Sequence, residues 1–158
     1  MMKKLKLYLD TSIYNFAIAG DVPYEKEITL KLLDEAKKGE YNIFISDIVI
    51  REINKASEGI AIKLRDIIKD LAPEELLVDE NVLSLADKYI EQGIIPVKYR
   101  DDALHIAVAS VNNMDVIVSW NFQHIVKVKT KREVTGINAL LGYKEIEIYS
   151  PLEVVENV

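Results

Sequence analysis

Asp115-Val116-Ile117-Val118-Ser119-Trp120-Asn121 is a strand of the Val/Ile type that ends on a polar residue. A short apolar run without alternation reads as a strand buried on both faces, as in a parallel sheet. Leu5 to Leu9 repeats the pattern and ends on Asp10, and Asn42 to Ile45 does so again. Between these runs lie helical stretches. Pro23 to Lys38 has Ile28, Leu32, Leu33 and Ala36 on one face and Gly39 as its stop. A second helix follows the cap Ser46 or Asp47 and reaches about Ser57. Others are expected at Ile60–Leu71, Asn81–Gln92, Asp101–Asn112 and Lys131–Leu141, with short strands at Leu76–Val78 and Glu145–Tyr149. Strands alternating with helices long enough for crossovers predict a three-layer α/β/α fold around a mostly parallel sheet.

The 158 residues hold no repeat, low-complexity tract or Pro/Gly-rich linker, so one domain, 1–158, is expected. Hydrophobic residues make up 49% and charged residues 29%, an ordinary globular balance. There is no cysteine, which excludes disulfides, zinc–thiolate sites and thiol catalysis. No apolar run approaches the ~18 residues of a membrane span, and Met1 to Leu9 lacks the pattern of a secretory signal. A cytoplasmic protein is the expectation. The net charge of −6 argues weakly against a nucleic-acid binder, although an acidic metal site would account for part of it. Lys127, Lys129, Lys131 and Arg132 form a local basic stretch.

Four polar residues stand where the pattern asks for apolar ones or where the chain leaves the sheet. Asp10 and Asn121 both lie at the carboxyl ends of strands, where sites form in open parallel sheets. Asp10 can equally cap the next helix. Glu52 falls inside the apolar arc of Ile48, Val49, Ile53 and Ala56, so it is a ligand or the partner of a buried Arg or Lys. Asp102 heads a helix that is apolar almost all round, and either it or Asp101 can cap that helix. Asp115 sits at the wrong end of its strand to join them. Several acids in one place are compensated most readily by a hard divalent cation with oxygen ligands.

The order Leu7-Tyr8-Leu9-Asp10-Thr11-Ser12, Ser46-Asp47-Ile48-Val49-Ile50-Arg51-Glu52-Ile53, Asp102-Ala103-Leu104-His105-Ile106-Ala107 and Val118-Ser119-Trp120-Asn121-Phe122-Gln123-His124 resembles the PIN-domain nucleases. That group includes the VapC-like toxin ribonucleases of VapBC toxin–antitoxin pairs. The resemblance runs from about Lys4 to Pro151 and implies a PIN-like fold. It implies that Asp10, Glu52 and Asp102 hold Mg²⁺ or Mn²⁺ and that Ser12 supports the first acid. Asn121 stands where many members carry a fourth acid, which puts a second metal in doubt more than activity.

The function expected is a metal-dependent endoribonuclease with Asp10, Glu52, Asp102 and Asn121 as its catalytic set. Lys127, Lys129 and His124 are candidates for contacting RNA, with Lys98 and Arg100 near the rim. His105 reads as a core or rim residue and Trp120 as packing. The resemblance also implies a homodimer and an antitoxin protein as partner. Two rivals stand beside this reading: a catalytically silent PIN-fold RNA-binding or scaffold module, and a phosphatase with Asp10 as nucleophile. The phosphatase would ordinarily want a second Asp where Ser12 stands. Removing any one acid is expected not to destabilise the metal-free protein, because like charges repel.

Overall fold

The computed structural model describes residues 3–155; Met1, Met2 and 156–158 of the expected domain lie outside the described residues. In chain order the elements are β1 (Lys6–Leu9), α1 (Thr11–Ile18), α2 (Pro23–Lys37), β2 (Asn42–Ser46), α3 (Asp47–Ile53), α4 (Glu58–Leu71) and β3 (Glu74–Leu76). Then come α5 (Glu80–Glu91), a 3-10 turn at Val97–Tyr99, α6 (Arg100–Val111), β4 (Val116–Val118), α7 (Val128–Leu140), β5 (Glu147–Tyr149) and α8 (Pro151–Val154).

The five strands form one sheet in the order β3-β2-β1-β4-β5, and every pairing is parallel. β1 is central, and Leu7, Tyr8 and Leu9 are fully buried in it. Its Leu7 pairs with Ile43 on one side and Val116 on the other. Strands covered on both faces must be apolar throughout, which is why the Val/Ile runs read so plainly. Helices α1, α2 and α4 pack on one another, and α5 packs on α6, so the sheet is flanked by helical layers. α6 supplies the most buried helix, with Ala103 to Ser110 all inside. Each buried Leu, Ile or Val side chain contributes about 1.5–3 kcal/mol. Among the described residues no helix is long and apolar enough to cross a membrane.

Several boundaries differ from the sequence reading, each for a local reason. β3 is Glu74–Leu76 rather than Leu76–Val78, because an edge strand tolerates the exposed Glu74 and Glu75. α7 begins at Val128, one turn before Lys131, with Lys127 extended just ahead of it. Val128 is 69% exposed, so no apolar periodicity announces that turn. α4 starts at Glu58 and runs to Leu71, where Ala72 takes a left-handed φ of 50° before Pro73. α6 begins at Arg100, not Asp101, and has no side-chain cap; neither Asp101 nor Asp102 plays that part.

Candidate metal centre

Asp10 does two things at once. It is the N-cap of α1, accepting from the Ser12 N–H at 3.1 Å, and it is 3% exposed. Its Oδ1 also accepts the Ser12 hydroxyl at 2.5 Å, and its Oδ2 accepts the Ser119 hydroxyl at 2.5 Å. Ser119 follows β4 directly, and the Asp10 N–H donates to Val118 O at 3.2 Å, so the sheet itself brings Ser119 to Asp10. Burial pushes the Asp10 carboxyl above its ordinary range; His105 and the two serines offset only part of that.

Glu52 turns inward from α3. Its Oε1 accepts from Thr11 Oγ1 at 2.7 Å and lies 2.6 Å from His105 Nε2. The alternative to a ligand role for Glu52 is a buried Lys or Arg partner; the structure gives it a buried histidine instead, while the Arg51 side chain goes to Asp101 at 2.5 Å. Burial pushes Glu52 up, but the hydrogen bond and charge of His105 outweigh it, and the carboxyl ends below its ordinary range. His105 is 2% exposed, as its core reading required. On its other side, Nδ1 lies 2.7 Å from the Tyr8 hydroxyl, which lies 2.7 Å from Ser46 Oγ. Burial pulls the imidazole down, yet Glu52, Asp10 and Asp102 together raise it.

Asp102 is the third acid. Its Oδ2 lies 2.9 Å from His124 Nδ1, and the His124 ring packs on Tyr99 at a tilt of 38° with centroids 4.1 Å apart. Asn121 places its amide oxygen in a turn, where it accepts from the His124 N–H at 2.9 Å. Its main-chain carbonyl accepts from Ile125 and Val126, and Thr130 Oγ1 donates to His124 O. Asn121 thus builds the loop that presents His124. Trp120 packs as expected, stacked on Phe16 with its indole N–H donating to Thr29. The basic run lies on the first turns of α7, where Lys129 leans to Gly93 O at 3.4 Å and Lys131 lies over the Tyr149 ring. Asp115, at the opposite end of β4, binds the Lys6 N–H and Lys144.

Among the described residues no three His, Asp or Glu side chains form a ready-made metal cluster. The donor chemistry does fit a hard divalent cation. Among the described residues Glu52 Oε2 and Asp102 Oδ1 have no hydrogen bond, and Asp10 Oδ2 accepts one. Tyr8, Thr11, Ser119 and His105 were not singled out as site residues from sequence. Tyr8 and His105 lie within apolar runs, so nothing in the sequence sets them apart.

No family model matches the chain, and no curated protein matches it in sequence. Among solved structures, a chain in the crystal structure of VapBC2 from Rickettsia felis bound to a DNA fragment from their promoter is similar. The match covers 92% of this chain and 98% of that one, with a TM-score of 0.56 and 18% identity. The two chains share a fold, here helical layers around an all-parallel five-stranded sheet. At that identity the likeness is one of architecture, and it agrees with the three-layer class expected from the sequence.

Proposed function

We propose that this protein is a Mg²⁺- or Mn²⁺-dependent ribonuclease that hydrolyses phosphodiester bonds in single-stranded RNA. The observation that carries the reading is the gathering of Asp10, Glu52 and Asp102, from three separate elements, around the buried imidazole of His105. His105 pairs with Glu52 and His124 with Asp102, which leaves the buried Asp10 without a basic partner of its own, an arrangement suited to a cation. Asp10, Glu52 and Asp102 would hold the metal, which would polarise the phosphate and make a bound water more acidic. Ser12 and Ser119 hold the Asp10 carboxylate in one orientation. Glu52 accepts a proton from the attacking water at Oε2. The water oxygen bonds to phosphorus, the bond to the 3′-oxygen breaks, and that oxygen takes a proton from solvent. A 5′-phosphate and a 3′-hydroxyl result, as the family resemblance implies.

Lys127, Lys129 and His124 belong to the loop and helix start that follow Asn121, and in this reading they meet the RNA backbone. The VapBC2 likeness supports a further part of the proposal, an antitoxin protein as partner; a homodimer and a cytoplasmic setting complete it. The test is cleavage of end-labelled single-stranded RNA in Mn²⁺ and in EDTA, by the protein and by Asp10→Asn. Cleavage in Mn²⁺ that both EDTA and the substitution abolish is the expected result. RNA binding without cleavage by both proteins would establish the silent module instead, and turnover of a phosphomonoester would establish the phosphatase.

A further inference from the structure

The buried chain Ser46–Tyr8–His105–Glu52–Thr11 joins β2, β1, α6, α3 and α1 through four hydrogen bonds of 2.6–2.7 Å. Ionised Glu52 can only accept, so His105 Nε2 must carry a proton in either charge state of the ring. With Nε2 so committed, a neutral ring turns an acceptor Nδ1 to the Tyr8 hydroxyl. The direction is then consistent along the whole chain: Ser46 donates to Tyr8, Tyr8 to His105 Nδ1, and His105 Nε2 to Glu52. Ser46 Oγ meanwhile accepts the Ile48 N–H at 3.3 Å. Two donors, His105 and Thr11, saturate Glu52 Oε1 and leave Oε2 as its single open oxygen.

We propose that Tyr8 and His105 are positioning residues that lock Glu52 so that it acts through Oε2 alone. The inference rests on the ribonuclease reading and assigns its acid a fixed aim. Support of this kind behind a metal-facing carboxylate is typically worth about 10–100-fold in metal affinity or activity. The experiment compares the protein with His105→Leu, His105→Gln and Tyr8→Phe. It measures Mn²⁺ affinity by titration calorimetry, kcat and KM on single-stranded RNA, and thermal melting to certify folding. Leu removes the donor to Glu52, whereas the Gln amide restores one.

His105→Leu and Tyr8→Phe are expected to weaken Mn²⁺ binding and lower kcat by about 10-fold or more, with KM for RNA unchanged and His105→Gln recovering most of the loss. Wild-type affinity and kcat in His105→Leu would overturn the inference and leave the ribonuclease reading standing. Equal loss in the Gln and Leu variants would overturn it too, since that marks a merely structural role. Absence of Mn²⁺ binding by the unsubstituted protein would sink the ribonuclease reading and this inference together. If His105→Leu does not fold, Tyr8→Phe with Thr11→Val decides by the same measurements.

Discussion

Asp10 and Glu52 belong to one site but respond oppositely to folding. Burial raises the Asp10 carboxyl above its ordinary 3.8, so the unfolded chain ionises first as pH rises. Stability is lost between that value and the raised one and stays lost above it. Glu52 lies below its ordinary 4.5, so its contribution is present above 4.5 and disappears as pH falls through the lowered value. His105, raised above 6.5, contributes fully below 6.5 and ceases to do so as pH climbs through its own value. In EDTA at neutral pH, Asp10→Asn should therefore melt higher than the unsubstituted protein and Glu52→Gln lower. Both differences should shrink at pH 3, and thermal melts across pH 3–8 check this. Removing Asp10 is thus still expected to cost no stability, whereas removing Glu52 is now expected to cost some, because it has His105 and Thr11 to lose. Tyr14 offers a separate case: its hydroxyl is fully buried and has no hydrogen-bond partner among the described residues. Tyr14→Phe should leave stability unchanged or raise it by about 1 kcal/mol in urea unfolding. The three acids were legible because each breaks an apolar pattern. Tyr8 and His105 sit within apolar runs and break nothing, and only coordinates reveal that their polar atoms meet partners 38 and 97 residues away.

Helices α5, α6 and α7 are tied by a second buried polar cluster. Tyr89 donates to Asn138 Oδ1 at 2.5 Å, and Asn138 Nδ2 donates to Ser110 Oγ at 2.9 Å. Asn138→Leu leaves two buried hydroxyls short of a partner and should cost about 2–3 kcal/mol. Urea denaturation measures that loss, and RNA cleavage should be unaffected because the cluster does not touch the acids. At this scale the sequence told the type of an element better than its ends. Helices with strong stops, such as α2 before Gly39 (φ 81°) and α5 before Gly93 (φ 73°), ended within a residue of where they were expected. The start of α7 and the strand β3 were displaced, since exposed Val128 and the paired Glu74 and Glu75 follow no burial period. Cap chemistry at the head of α6 was misjudged, because Asp101 and Asp102 are drawn sideways to Arg51 and His124.

Over the whole molecule, the parallel sheet makes every strand pairing a distant one. β1, synthesised first, closes only against β2 and then against β4, with Leu7 waiting for Val116. Such topologies fold slowly, because long loops must close before contacts are gained. Ser119 and His124, which hold Asp10 and Asp102, arrive with and just after β4. Refolding from urea should therefore show Mn²⁺-dependent cleavage returning together with the tertiary near-UV signal, and not with the earlier far-UV signal. A ribosome that has delivered the chain only as far as Arg100 carries Asp10 but not Ser119, whose hydroxyl aims it. On the ribonuclease reading, the chain can sever no transcript, its own messenger included, until β4 and the loop to His124 have been made.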